Sequence, residues 1–268
     1  MDSAKMIRLL ATNDAAMALT EPMENNDFPA LFIPTTSGSG SEATKTSVFY
    51  INENEKFSVH NYDFIPDYVL FDERLLETVP DYQRKSTCLD ALCHSIESYW
   101  STVATDESRE YAAKSIRLFF KHKEAYIHNQ KEGNSGMLEA SYYGGKAINI
   151  TGTTAPHAMC YNITMNCGTA HGHSVAVVLA ALWEWMLKKE YPKEVFISLA
   201  KLMGGACAED GARIFRSLIE EFQLACPKIS EDALDVFTAK VNVSKLKTNP
   251  VLLSNEDIKE LYRRALCD

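Results

Sequence analysis

The chain has 268 residues, 46% of them hydrophobic and 24% charged, enough to bury a core in one large domain or two moderate ones. Its 27 basic and 36 acidic residues give a formal charge of −9, the wrong sign for neutralising nucleic-acid phosphates. The sequence contains neither a long apolar run nor a leader-like N-terminus, so it reads as a cytoplasmic globular protein with no nucleic-acid or membrane partner.

In chain order, the first 80 residues hold short apolar runs rich in β-branched and aromatic residues: ALFIP (30–34), TSVFYI (46–51) and DYVLFD (67–72). Each is bounded by turn-forming residues, and each predicts a strand. Between the first two lies PTTSGSGSEAT (34–44). Gly38 and Gly40 can adopt positive φ and let backbone approach a ligand, while Thr35, Thr36, Ser39 and Ser41 offer donors to phosphate oxygens. Read without context, the same stretch is more simply a plain Ser/Gly/Thr surface loop. From Asp81 onward the period becomes helical, over 83–101, 106–123, 136–149, 173–188, 193–203, 208–224, 231–240 and 255–266. QKEGNSG (130–136) and ITGTTAP (150–156) read as loops.

Within 83–101, Asp90 and His94 are four residues apart and share a helix face. Such pairs occur as simple surface hydrogen bonds. Here Leu89, Ala91, Leu92, Ile96 and Tyr99 make the helix apolar, so an interior carboxylate needs a partner, and a metal would serve both groups. His157, following a loop, and His171, opening a helix, could add two imidazoles. One carboxylate with three imidazoles suits Fe(II) or Zn(II) better than Mg(II) or Ca(II). Cys160 and Cys167, between those histidines, are candidate soft ligands, but the seven cysteines, with no CxxC pair, otherwise read as reduced thiols. His60, His122 and His128 fall in polar surroundings that suggest exposure.

DALCH, the His of PHAMCY, and the His of AHGH fourteen residues later resemble, in order and spacing, the metal motif of the iron-containing alcohol dehydrogenase family. PTTSGSGSEAT is similar to that family's nicotinamide-cofactor loop, and VNVSKLKTNPVLLSNEDIKELYRRAL resembles its closing segment. The resemblance implies an α/β remnant of a Rossmann-like dinucleotide-binding domain over 1–80 and an all-α metal domain over 81–268. It implies Fe(2+) or Zn(2+) held by Asp90, His94, His157 and His171. NAD or NADP would lie along Thr35, Thr36, Ser39, Gly40, Thr44, Thr46 and Lys56. Asp2 would be the aspartate of a GGGSxxD pattern whose glycines are absent, which implies N-terminal truncation of a protein that is a homodimer at full length. Tyr161 stands where many members carry a second histidine. The surroundings GKAINITGTTAPHAMCY and HGHSVAV look like the branch reducing phosphonoacetaldehyde to 2-hydroxyethylphosphonate. The implied reaction is NAD(P)H-linked reduction of a small aldehyde, with Tyr161 and His173 as candidate catalytic groups and Lys45 and His173 as candidate phosphonate holders. The alternatives are another superfamily activity, such as glycerol dehydrogenase or dehydroquinate synthase, and a noncatalytic remnant.

Overall fold

A computed structural model describes residues 1–13, 24, 27–50 and 56–266. The chain opens with helix α1 (Asp2–Leu10), whose Leu9 packs with Phe64 in a small core of its own. Lys5 on the same helix is fully buried, and its ammonium donates to Thr44 O at 2.8 Å, Thr44 Oγ1 at 3.0 Å and Thr46 O at 2.8 Å. Those bonds supply the partners that a buried ammonium requires.

Two small sheets follow. Strand β1 (Leu31–Phe32) pairs in parallel with β4 (Tyr68–Val69), in register Leu31 to Tyr68 and Phe32 to Val69. Strand β2 (Thr46–Tyr50) pairs antiparallel with β3 (Lys56–His60), Thr46 facing His60. The expected strand at 30–34 is thus cut to two residues, because Pro34 has no N–H to continue the ladder. Its partner at 67–72 is shortened to match.

From residue 81 the described residues form helices and no strand. These are α2 (Asp81–Trp100), α3 (Asp106–Ile127), α4 (Lys131–Thr151), α5 (Ala155–Cys167), α6 (His171–Met186), α7 (Lys193–Leu202), α8 (Ala208–Glu221), α9 (Ala233–Ala239) and α10 (Asn255–Leu266). No helix among the described residues is long and apolar enough to cross a membrane. The architecture is an all-helical part, from residue 81, preceded by a smaller α/β part whose described residues form two two-stranded sheets.

Two expectations change here. QKEGNSG lies almost wholly inside α4, not in a loop. Its glycines are contact points: a Cβ on Gly133 would fall 2.1 Å from Tyr126 N, and one on Gly136 would fall 2.3 Å from the His122 ring. Packing of α4 against α3 therefore outweighs the intrinsic helix penalty of glycine, and it buries His122, which the sequence had suggested was exposed. The second change is α5, which spans most of the stretch between His157 and His171. His157 follows the loop as expected and lies in the first turn of that helix, for which the sequence shows no helical period.

Helices α2 and α6 form the centre. Trp100 of α2 meets Trp183 of α6 edge-on at 5.5 Å and stacks on Phe196 of α7 at 5.7 Å. Each such buried aromatic contributes about 1.5–3 kcal/mol over its exposed state. The buried guanidinium of Arg84 ties α2 to its neighbours, donating to Tyr126 O at 3.1 Å, Asn134 Oδ1 at 2.6 Å and Asn129 Oδ1 at 2.7 Å. With its donors satisfied, the start of α2 is held in place, and the functional face that follows is rigid.

Candidate metal centre

Three helices converge on Asp90. It lies in α2 one turn before His94. The extended Thr154 and the following Pro156 begin α5, so His157 points back toward α2 from the first turn. Gly168, at φ 67°, ends α5 in the left-handed region, and three residues later His171 opens α6. Gly172 lets the two helices touch: a Cβ there would lie 2.1 Å from Ser86 O and 2.8 Å from Asp90 Cβ. That contact brings His171 over the carboxylate.

Asp90 Oδ1 stands 3.4 Å from His157 Nε2, 3.9 Å from His171 Nε2 and 4.0 Å from His94 Nε2. Ligand atoms of Asp90, His157 and His171 all lie within 4.8 Å of one another. His94 adjoins this trio, its ring stacked on His157 at 4.5 Å. Its Nδ1 donates to Gly38 O at 3.3 Å, which leaves the Nε2 lone pair facing Asp90 and joins the glycine-rich loop to the site.

Glu97, fully buried one turn beyond His94, accepts a hydrogen bond from His157 Nδ1. Its other oxygen accepts from Thr154 N at 2.6 Å and Thr154 Oγ1 at 3.0 Å. Thr154 Oγ1 in turn accepts from Trp100 Nε1 at 3.1 Å. With Nδ1 committed to Glu97, Nε2 is the nitrogen that His157 would offer to a cation in exchange for a proton.

Burial alone would raise the Asp90 carboxyl, but His94, His171 and His157 hold it below the usual carboxylate range. Burial lowers His94 to about 4. At His157 burial acts in the same direction, but Glu97 and Asp90 outweigh it and push the ring up to about 9. Despite their proximity, Asp90 Oδ1 and His157 Nε2 are buried and make no aligned hydrogen bond. Buried polar atoms left without an aligned hydrogen bond are costly even where the net charge is balanced. A divalent cation would remove that cost, and the nitrogen-rich donor set suits Fe(II) or Zn(II). The residues present therefore fit such an ion.

The cleft over this centre is lined by Asp2, Ser39, Thr44, Thr46, Tyr161 and Lys245 together with His94, His157 and His171. Asp2 accepts from Val48 N at 3.2 Å. Thr46 Oγ1 pairs with His60 Nδ1 at 2.9 Å. Thr35 and Thr36 are exposed and do not line the cleft, because the chain turns inward only after them. Gly40 does not face the cleft either. At φ 56° it packs on α4, where a Cβ would meet Gly145 Cα at 2.6 Å, so helix contact rather than ligand approach demands glycine there. Lys56 opens β3, and its side chain lies outside the described residues.

Other candidates point elsewhere. Lys45 donates to the Tyr62 hydroxyl at 3.1 Å, outside the cleft. His173 is two residues past His171, roughly the opposite face of a helix, and is buried with Nδ1 3.0 Å from the Tyr82 hydroxyl. That hydroxyl also accepts from Ala170 N at 2.8 Å, so His173 anchors the start of α6 and does not reach the cleft. Cys160 is buried with Sγ 3.6 Å from His171 Nδ1, facing the ring nitrogen turned away from Asp90. Sequence reasoning missed Glu97 and Lys245. Glu97 had a signal, since it continues the helix face of Asp90 and His94 at the seventh position.

Residues 85–266 match the family model described as the Fe-containing alcohol dehydrogenase family, C-terminal, and residues 1–73 match the one for iron-containing alcohol dehydrogenase. An alcohol dehydrogenase of Thermococcus barophilus is 29% identical over 259 residues, covering 92% of this chain and 67% of that protein. Phosphonoacetaldehyde reductase of Streptomyces viridochromogenes is 26% identical over 248 residues, covering 85% of this chain and 62% of that protein. Sulfoacetaldehyde reductase of Bifidobacterium kashiwanohense, solved with NAD+, superposes with a TM-score of 0.89 at 24% identity, covering 98% of this chain and 72% of that one.

Proposed function

The chain belongs to the iron-containing alcohol dehydrogenase family, and from that premise we propose that it takes part in metal-dependent, NAD(P)H-linked reduction of a small aldehyde and the reverse oxidation of the alcohol. The observation that carries this reading is the convergence of buried Asp90 and His157 with the partly exposed His171 at the floor of an open cleft, with His94 stacked beside them.

Asp90, His94, His157 and His171 would hold the metal, and Glu97 would keep His157 in its ligating tautomer. When bound, the metal would supply Lewis acidity toward a carbonyl oxygen and the nicotinamide would supply hydride. Ser39, Thr44 and Thr46 line the cleft and could orient the cofactor. The Tyr161 ring lies 5.8 Å from that of His171, so its phenol could donate a hydrogen bond or proton at the reacting oxygen. Phosphonoacetaldehyde is our specific substrate proposal, supported by the sequence around His157 and by the Streptomyces relative.

The test strips the purified chain of metal, restores Fe(II) without oxygen or adds Zn(II), and follows NADH or NADPH oxidation with phosphonoacetaldehyde and with propanal. Metal-dependent cofactor oxidation supports the reading. A metal-loaded chain that turns over neither aldehyde sinks it.

A further inference from the structure

Lys245 belongs to a short 3-10 turn, Val243–Leu246, that packs on α5. The turn is firmly seated: Leu246 is buried, and the nearby buried Asn249 donates to Val251 O at 2.6 Å. From this platform the Lys245 side chain lines the same cleft as His171, with its ammonium 5.3 Å from the centre of the Tyr161 ring. The lysine is half-buried, and burial lowers its affinity for the proton, opposed by Cys160 and Glu97. Among the described residues its ammonium makes no hydrogen bond or ion pair. A half-buried cation with only an aromatic face beside it lacks part of the solvation it would have in water.

The surrounding charges leave this cation uncancelled. A divalent ion would be balanced by Asp90 and Glu97. Asp2, a carboxylate lining the cleft, is tied to Val48 N. His60, also in the lining, is held toward its neutral form by burial and by Lys45 and Lys245. Tyr161 stands between Lys245 and His171, within ring-contact distance of both. A short molecule with its oxygen at the metal residues would therefore run along the Tyr161 face toward the ammonium.

We infer that Lys245 determines specificity by holding an anionic group at the far end of the substrate, so that the site prefers short aldehydes and alcohols bearing a phosphonate, sulfonate or carboxylate over neutral ones. This rests on the reductase reading above but names a different cation from Lys45 and a different side chain from His173. A charge-assisted contact of this kind changes affinity by about 10- to 100-fold.

The test measures binding of 2-hydroxyethylphosphonate to the zinc-loaded chain by calorimetry, for the parent, Lys245→Met and Lys245→Arg, with circular dichroism to verify folding. We expect at least about 10-fold weaker binding in K245M and recovery to within about 3-fold in K245R. In turnover, the kcat/KM preference for phosphonoacetaldehyde over propanal should fall by a similar factor in K245M, chiefly through KM. Phosphonate binding that depends on Lys245, without turnover of any aldehyde, upholds the inference and sinks the reductase reading. Propanal turnover with an unchanged preference in K245M, or no phosphonate binding by the parent, overturns the inference and leaves that reading intact.

Discussion

Glu97 holds His157 from behind: its carboxylate accepts a hydrogen bond from Nδ1–H of a ring whose Nε2 faces Asp90, and it is in turn held by Thr154. In Glu97→Gln one amide face would present donors to Thr154 N–H or to His157 Nδ1–H, and the ring would lose its orientation. Zinc or cobalt affinity should fall about 10- to 100-fold, read by competition with a chromophoric chelator. Unchanged affinity would show that Glu97 serves only the fold.

The unsatisfied carboxylate makes metal binding a stability determinant. Zinc at 100 times its Kd should stabilise the chain by about 2.7 kcal/mol, seen as a raised unfolding midpoint that a chelator reverses. Asp90→Asn should abolish the response to zinc, because the carboxylate common to the three histidines is lost. His94→Ala should also lose metal retention while keeping its helical spectrum. If Asp90→Asn still gains stability from zinc, the ion binds elsewhere.

Gly172 sets the separation between α2 and α6. Alanine there would drive Cβ into Ser86 O, a backbone atom that cannot rotate away. We expect a loss of about 1–3 kcal/mol and, because the shift moves His171 relative to Asp90, weaker metal binding in the surviving fold. Denaturant titration and the chelator competition together check this, and an alanine variant with parental values in both would refute the close contact.

Glu42 provides a pH test away from the centre. Burial raises its carboxyl from 4.5 to about 7, offset in part by its own backbone N–H and by Lys5. Because the folded value lies above the unfolded one, its contribution is fully present below about pH 4.5 and is lost as pH rises through about 7. Glu42→Gln should therefore match the parent near about pH 4 and exceed it by about 1–3 kcal/mol near about pH 8. Urea midpoints at the two pH values decide it, and a gain confined to acid pH would contradict the sign.

What could be read from sequence alone was what short-range geometry controls. The helical period placed most of α2, α3, α6, α7, α8 and α10. Four-residue spacing put Asp90 and His94 on one face. The rest depends on which surfaces meet. Gly133, Gly136 and Gly40 look like loop residues by composition, yet their missing side chains are what allow α3, α4 and the glycine-rich loop to touch. His173 and Lys45 carry suitable chemistry but are directed at Tyr82 and Tyr62. Lys245, more than seventy residues after His171, enters the cleft only because its turn docks on α5. Periodicity reports which face of an element is apolar, whereas the partner of that face, and hence the polar groups brought together at its edge, is decided by packing between distant segments.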